Sequence, residues 1–416
     1  MLHSHPIPTN LRNLLISLII DNKTQIITPD GKTKLIHFLC AVLQGGPLSP
    51  FLFNISIDPV INALTEKEVA LEFGFSIHPT VEKLTNQCFA DDDVIISNST
   101  HGATELVKMA KALFDSMGLQ ISFEKSTAIT IRKGKFQACE NIIINESEYI
   151  RGLEEDKVIK YLGVNFKDQI TFDSHKVIKQ LKDSIDKLVS CSLLYTNQKI
   201  LIINDYIWSK LVYPPQMAPL TKKHHCFLED VDKIIRNAVK EIIGLPSDTP
   251  TSMIYTSTNL RGLSVFRATW EAFLQHYNVC LSLIKSNNEF IPHTRNLEKE
   301  MESCQKNLKI SDDEMKKIIE TNKNPKKKLT QATRVHLREK EFKCWYDLKS
   351  KGKGVDAFKD CKEVNKRIIE KRGLTNTEWI QILKMNGQVA PVRAIHGRGL
   401  DNRCRHCGEI ETWGMS

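Results

Sequence analysis

Apolar positions recur at helical spacing in some stretches of the chain and at strand spacing in others. Leucines follow the cap Pro8-Thr9-Asn10 at three- and four-residue intervals, which predicts a first helix. The same periodicity predicts helices at 49–64 and 103–117, the second ended by Gly118. Short apolar runs predict strands at 24–27, 34–39, 119–123 and 127–131, and a pair of strands at 158–166 around Tyr161-Leu162-Gly163. This mixed order indicates an α+β fold.

From about residue 174 the pattern changes to long helical stretches, at 178–193, 198–212 and 226–243, which predicts an all-α region. Lysine becomes frequent between 287 and 372, as in Lys326-Lys327-Lys328, and apolar residues become fewer. That composition is typical of a solvated linker with some helix, or of a segment that contacts nucleic acid. Both interpretations can hold together.

Length and composition place the chain among globular proteins. The 416 residues, 41% of them hydrophobic, allow two or three domains with their own cores. The net charge of +9 permits a polyanionic partner without requiring one. Eleven cysteines and a start without secretory features predict reduced thiols in the nucleus or cytoplasm. The apolar stretch in the first helix is about half a membrane span.

Three consecutive carboxylates, Asp91-Asp92-Asp93, lie between the apolar runs Cys88-Phe89-Ala90 and Val94-Ile95-Ile96. The two runs predict a hairpin packed in a core, with carboxylates that need a partner at its tip. Clustered carboxylates bind divalent metal, which favours a metal-dependent phosphoryl-transfer site. The alternative is an acidic turn whose side chains cap backbone groups and face water.

Four motifs follow one another in an order that resembles the palm of reverse transcriptases. They are QGGPLSPFLFN at 44–54, FADD at 89–92, GLQISFEKS at 118–126 and YLG at 161–163. Further stretches resemble the polymerase of site-specific non-long-terminal-repeat retrotransposons, including those that insert into ribosomal DNA and carry a restriction-like endonuclease. These are IGLPSDTP at 243–250, RGLS at 261–264, APVR at 390–393 and the segment 404–413.

The resemblance implies a right-hand polymerase architecture and an RNA-directed DNA polymerase activity. The implied parts are a partial palm at 1–172, a helical thumb at 173–286, a lysine-rich linker at 287–372, and a linker end with a truncated CCHC-type zinc knuckle at 373–416. The implied partners are an RNA template, a DNA primer or target and deoxynucleoside triphosphates, with Mg²⁺ or Mn²⁺ as cofactor and no membrane. Target-primed reverse transcription implies a nuclear location, although Lys326-Lys327-Lys328 is too short for an import signal.

The resemblance also assigns roles to individual positions. Asp91 and Asp92 match catalytic, metal-binding carboxylates, and Lys125 matches a lysine that approaches the triphosphate and assists proton transfer to pyrophosphate. The alternative for Lys125 is an ordinary surface lysine in a loop. Positions that match contacts to template, nucleotide or primer are Gln44, Gly45, Pro47, Phe89, Tyr161, Leu162 and Gly163.

Several positions depart from the motifs of that family. Asp93 stands where an apolar, buried residue is usual, and an unpaired carboxylate there is costly unless it is solvated or neutralised. Arg261 replaces a glycine of the thumb signature. Gly46 and Leu43 replace an aspartate and a basic residue. Residues 6–20 match the helix that follows the family's first metal-binding aspartate and fingers. We therefore expect a polypeptide of these 416 residues to be inactive, because one carboxylate strand does not hold two metals.

Cys404 and Cys407 have the spacing of half a zinc knuckle, and Met415 falls where its histidine is expected. Two ligands do not make a structural site, so zinc is not expected as a cofactor. The main hypothesis is thus a fragment of a retroelement reverse transcriptase, without the endonuclease that follows the knuckle. The alternatives are a non-catalytic nucleic-acid-binding remnant or domesticated protein, and an intron maturase, which is not expected to end in Cys404-x-x-Cys407.

Overall fold

A computed structural model describes residues 7–20, 23–37, 45–154, 157–166, 170–171, 174–209, 211, 213, 221–286, 288–321, 327–389 and 403. The chain divides into two compact units. The N-terminal unit is Met1–Lys157 with Glu289–Arg295, and the C-terminal unit is Val158–Asn288 with Asn296–Ser416. The predicted α+β class is confirmed. The predicted boundaries at 172, 286 and 372 stay predictions.

The N-terminal unit combines four longer helices with short antiparallel strand pairs. The helices are α1 (Thr9–Ile19), α2 (Ser49–Thr65), α3 (Lys67–Phe73) and α4 (Thr100–Ser116). The strands are β1 (Lys23–Thr24), β2 (Ile27–Thr28), β3 (Gly31–Lys32), β4 (Ile36–His37), β5 (Asn86–Phe89), β6 (Asp92–Ile95), β7 (Thr127–Ala128), β8 (Thr130–Arg132), β9 (Lys135–Gln137), β10 (Ile142–Ile143) and β11 (Tyr149–Gly152). Strand β7 pairs in parallel with β11.

Helix α4 organises the core of the N-terminal unit. Ser99 caps it, since its hydroxyl accepts a hydrogen bond from the Gly102 amide at 3.0 Å. One face of α4 packs against α2 in a cluster of Val60, Leu64, Leu106 and Ala110. A second cluster joins Val107 of α4 to Ile142 and Ile150. Ile95 of β6 packs against both clusters, so the acidic hairpin is anchored on α4.

Two predicted strand regions differ from the structure. Residues 119–123 form a loop, because the Leu119 amide turns back to the Phe114 carbonyl at 2.9 Å after Gly118, whose φ is +75°. The described region 23–37 holds two nested pairs, β2 with β3 and β1 with β4, rather than one continuous hairpin, and residues 38 and 39 of the predicted strand lie outside the described residues. Among the helices that the structure describes, none has the length and apolar character needed to cross a membrane.

The C-terminal unit opens with the strands β12 (Ile159–Tyr161), β13 (Val164–Phe166) and β14 (Ile170–Thr171), and is otherwise helical. Its helices are α5 (Ser174–Ser190), α6 (Thr196–Ile202), α7 (Lys222–Ile243), α8 (Thr251–Tyr255), α9 (Ala268–Lys285), α11 (Leu297–Leu308), α12 (Asp312–Thr321), α13 (Lys327–Tyr346), α14 (Lys362–Ile369) and α15 (Asn376–Asn386). The short α10 (Ile291–Thr294) groups with the N-terminal unit. A π-helical turn, Ile203–Ile207, follows α6.

The lysine-rich region is packed rather than extended, which corrects its interpretation as a solvated linker. Leu337, Phe342 and Trp345 of α13 are buried in the same core as Val239 of α7. The lysines nearby, such as Lys343, stay exposed on the outer side of the helices. Apolar residues are few here but recur at helical spacing, and that spacing is sufficient to bury one face of a helix.

Candidate active site

The acidic motif forms a tight antiparallel hairpin, as predicted. Phe89 pairs with Asp92 and Cys88 with Asp93, so Ala90 and Asp91 are the two residues of the loop. Ala90 has a φ of +55°, a conformation that costs a residue with a Cβ about 1–2 kcal/mol. The Cys88 thiol donates a hydrogen bond to the Ala90 carbonyl at 3.2 Å. The hairpin therefore holds Asp91 at its tip in a strained, well-defined loop.

The three carboxylates do not face the same way. Side chains alternate along a strand, so Asp92 and Phe89 share one face of the hairpin, while Asp93, Cys88 and Ile95 share the other. Asp91 and Asp92 are exposed, and Phe89 is 65% exposed. The expectation that all three carboxylates need a partner in a core is thus wrong for Asp91 and Asp92. The hairpin packs against α4 through Ile95, on the face opposite to Asp92.

Asp93 is the carboxylate that the fold partly buries. Its Oδ1 is shielded from solvent without a hydrogen bond among the described residues, and the Asn86 amide nitrogen near it lacks one too. Burial raises the pKa of Asp93, against the opposing effects of Asn86 and the Val94 amide. Burial raises the pKa of the Cys88 thiol, and the negative charges of Asp93, Asp91 and Asp92 raise it further. Asp93 therefore costs stability in its charged form.

We expect Asp93→Val to stabilise the hairpin by about 1–2 kcal/mol at pH 7, because it removes a half-buried carboxylate whose Oδ1 has no hydrogen bond among the described residues. The folded-state pKa of Asp93 is raised, so its cost is fully present above that pKa and disappears as the pH falls below the ordinary carboxyl range. The gain should therefore shrink towards pH 4. Hydrogen exchange of the β5 and β6 amides measures it, with Asp92→Asn as the exposed control. An equal gain at both pH values would contradict this account.

Lys125 is exposed and lies in a turn, where its backbone amide donates a hydrogen bond to the Ser122 carbonyl at 3.1 Å. Two residues earlier, Phe123 packs on the same cluster as Ile95. The core of the N-terminal unit therefore ties the Lys125 turn and the acidic hairpin to one helix, α4. The role of the Lys125 ammonium beside a triphosphate stays a prediction.

The glycine loop leads directly into α2, which packs against β5. Gly45 has a φ of +83°, and a Cβ built there would meet no described atom within 4 Å. The Ser49 amide donates to the Gly46 carbonyl at 3.1 Å, which turns the chain into the helix beside the exposed Pro47. This backbone is open to a ligand. Gln44 lies outside the described residues, as do Cys404 and Cys407 of the half knuckle.

Tyr161, Leu162 and Gly163 lie in the C-terminal unit, where they join β12 to β13. Leu162 and Gly163 have φ values of +46° and +80°, as a two-residue type I′ turn requires. The Tyr213 hydroxyl donates to the Leu162 carbonyl at 2.9 Å, and its ring lies 3.6 Å from the position of a Cβ on Gly163. The sequence offered no signal for Tyr213 other than an aromatic residue before Pro214-Pro215.

Among the described residues, Asp91 and Asp92 are the exposed carboxylates that the hairpin offers to a metal. Carboxylate oxygens suit Mg²⁺ or Mn²⁺, and both side chains are exposed, so they fit one part of such a site. In the described part of the chain, the hairpin carboxylates do not form a group of three ligand atoms within 4.8 Å of one another. The one such group lies in the C-terminal unit, at His276, Cys280 and Glu300.

Comparison with known proteins supports the polymerase interpretation. Residues 2–166 match the family model described as reverse transcriptase (RNA-dependent DNA polymerase). The chain is 24% identical over 265 residues to a retrovirus-related Pol polyprotein from the type-1 retrotransposable element R2 of Popillia japonica, across 62% of this chain and 41% of that protein. The predicted resemblance to the polymerase of a ribosomal-DNA-type retrotransposon is confirmed.

Two other R2 proteins match similarly. One, from Nasonia vitripennis, is 25% identical over 268 residues, across 62% of this chain and 24% of its own length. The other, from the type-2 element R2DM of Drosophila melanogaster, is 26% identical over 239 residues, across 56% of this chain and 21% of its own length. The chain thus spans less than half the length of these curated relatives.

Proposed function

Because residues 2–166 match the reverse transcriptase family, we propose that this chain carries the catalytic hairpin, primer-side hairpin and thumb of a retrotransposon RNA-directed DNA polymerase. The observation that carries the proposal is the hairpin itself. It presents Asp91 and Asp92 to solvent at a strained two-residue loop, and backbone strain of this kind is common at functional sites. The substrates in this proposal are an RNA template, a DNA primer or target and deoxynucleoside triphosphates.

In this proposal Asp91 and Asp92 hold Mg²⁺ or Mn²⁺ on one side of the site. When bound, the metal activates the primer 3′-hydroxyl and neutralises the triphosphate. Lys125 donates a proton towards the leaving pyrophosphate. The open backbone at Gly45 lets template or nucleotide approach α2. The turn at Leu162 and Gly163, supported by Tyr213, contacts the primer strand.

The proposed site needs a second set of carboxylates. Strands β5 and β6 form a two-stranded sheet, and no other described strand pairs with either. A further strand with an aspartate can add to this free edge by backbone hydrogen bonds. The hairpin alone lacks three convergent ligands among the described residues, so we propose that these 416 residues do not polymerise unaided.

The proposal is tested by completing the sheet. An upstream palm and fingers segment from one of the R2 relatives is fused to residue 1, and primer extension is measured on an RNA template. We expect template-dependent DNA synthesis by the fusion that requires Mg²⁺ or Mn²⁺. A folded fusion that binds primer and template but extends nothing, with both metals tried, would overturn the proposal.

A second candidate function, nucleic-acid binding without catalysis, is favoured by the charge on the C-terminal unit. Lys349 and Lys353 are exposed, and Lys343 is exposed on the preceding helix. By contrast, Lys351 between them is held by Asp248 at 2.6 Å. Unpaired ammonium groups on a packed scaffold can contact phosphates without any catalytic carboxylate.

We expect the 416-residue chain to bind RNA with an affinity that falls steeply with salt. Lys349→Gln and Lys353→Gln should each remove one ammonium–phosphate interaction, and each should reduce the slope of log affinity against log salt by about 0.7–0.9. Lys359→Gln removes the same charge, but Asp356 already holds that ammonium at 2.8 Å, so its slope should change less. Fluorescence anisotropy across a salt series measures the slopes. Binding that is independent of salt would exclude this candidate.

A further inference from the structure

Two packed helices of the C-terminal unit place three metal-ligating side chains together, with a further thiol on the second helix. His276 and Cys280 are four residues apart on α9, and Glu300 and Cys304 are four residues apart on α11. Residues four apart share one face of a helix, and α9 packs directly on α11. Each helix therefore directs a pair of ligand-type side chains towards the other.

The distances within this cluster suit a small ion. His276 Nε2 lies 2.9 Å from Glu300 Oε2, and Cys280 Sγ lies 3.8 Å from the same oxygen. The ligand atoms of these three residues are all within 4.8 Å of one another. In a tetrahedral zinc site, neighbouring ligand atoms are roughly 3.3–3.8 Å apart, given the usual zinc–ligand bond lengths. The observed separations of 2.9 Å and 3.8 Å lie close to this range.

Burial and chemistry distinguish this cluster from an ordinary surface group. His276 is 5% exposed and Cys280 and Cys304 are fully buried, while Glu300 keeps partial contact with solvent. Cys304 of α11 is a further buried thiol near this group, but its sulfur does not belong to the set of ligand atoms within 4.8 Å of one another. Sulfur and imidazole ligands favour zinc over Mg²⁺ or Ca²⁺.

We propose that His276, Cys280 and Glu300 supply three ligands to one zinc ion that clamps α9 to α11. The site is separate from Cys404 and Cys407, and it departs from the expectation that this chain needs no zinc. It goes beyond the proposed polymerase function and does not depend on it. The competing account is a metal-free ion pair between His276 and Glu300 in a packed core.

Cobalt substitution separates the two accounts. The full chain carries Cys404→Ser and Cys407→Ser, so that the half knuckle contributes no ligand, and Co²⁺ is added to metal-stripped protein. We expect one Co²⁺ per chain, with the visible absorption of a tetrahedral site and a near-ultraviolet thiolate-to-cobalt band. Zinc should displace the cobalt and raise the unfolding temperature.

Variants locate the ion. Cys280→Ser should remove the thiolate band, and Glu300→Gln should lower the cobalt affinity at least about tenfold. Cys344→Ser, at an exposed thiol of α13, is the matched control and should change nothing. Glu300→Gln preserves side-chain size, so it reports on the site even if a thiol variant unfolds. No cobalt band in the parent, or a band unchanged by Glu300→Gln, would overturn the proposal in favour of the ion pair.

Discussion

A polymerase completed with an upstream palm segment should lose at least about a thousandfold of its extension rate when Asp91 is changed to asparagine. That factor corresponds to about 4 kcal/mol of transition-state stabilisation. Asparagine keeps the size of the side chain and the hairpin loop, but removes the charge that the proposed metals need. Asp91 is exposed, so the change should leave stability nearly unaltered. Single-turnover primer extension measures the rate.

The neighbouring acids provide matched controls for this experiment. Asp92→Asn should reduce the rate, since Asp92 shares the exposed side of the hairpin with the tip. Asp93→Asn removes the same charge one residue further on, but its side chain lies on the opposite face with Ile95. The extension rate should therefore stay within a few-fold of the parent. A loss at Asp93 as large as that at Asp91 would contradict the assignment of faces.

Arg334→Met should destabilise the C-terminal unit by about 3–5 kcal/mol. Arg334 binds Glu271 through two hydrogen bonds, from Nε to Oε1 at 2.5 Å and from Nη2 to Oε2 at 2.7 Å. Glu271 is 2% exposed, so loss of its partner leaves a buried charge uncompensated. Arg338 is nearby but donates to the Ser264 carbonyl at 3.1 Å. Urea denaturation followed by circular dichroism measures the loss.

The double variant Arg334→Met, Glu271→Leu separates the charge from the packing. Because both partners leave together, we expect stability within about 1–2 kcal/mol of the parent. Lys359→Met breaks the exposed pair with Asp356 and should cost far less stability, because water screens that pair. If Arg334→Met lowered stability no more than Lys359→Met does, the Arg334–Glu271 pair would not stabilise the core as described.

Local sequence signals predicted the elements that present the motifs. The acids between two apolar runs predicted the β5–β6 hairpin, and the apolar spacing of 103–117 predicted α4. Tyr161, Leu162 and Gly163 were correctly expected at a strand turn. The cost of a carboxylate at Asp93 was also expected, because the resemblance implies an apolar, buried residue at that position, and its raised pKa agrees. These features depend on residues close together in the chain.

Features that depend on distant residues could not be predicted in this way. Asp91 and Asp92 were expected in a core because periodicity does not say which face of a hairpin another element covers. The lysine-rich region was interpreted as a linker because the sequence does not show that its few apolar residues pack into a core built by α7 and α9. Tyr213 supports the Leu162 turn across 51 residues, which no local pattern shows.

The structure explains how Arg261 fits at a position where the thumb signature has glycine. Its φ of +59° is left-handed, which accounts for the glycine expected in the thumb signature. Its Nε donates to Asn365 Oδ1 at 2.7 Å, and its guanidinium lies 4.4 Å from the centre of the Phe358 ring. Contacts roughly one hundred residues away thus offset a backbone strain that the sequence alone could not weigh.

The most direct measurement is primer extension on an RNA template by two proteins side by side. One is the 416-residue chain, and the other is the same chain completed with an upstream palm carboxylate strand. If Asp91 and Asp92 are one side of a two-metal site, the first extends nothing and the second extends only while Asp91 is intact. Template-dependent synthesis by the 416-residue chain that vanishes on Asp91→Ala, or synthesis by the completed chain that survives Asp91→Asn, would contradict it.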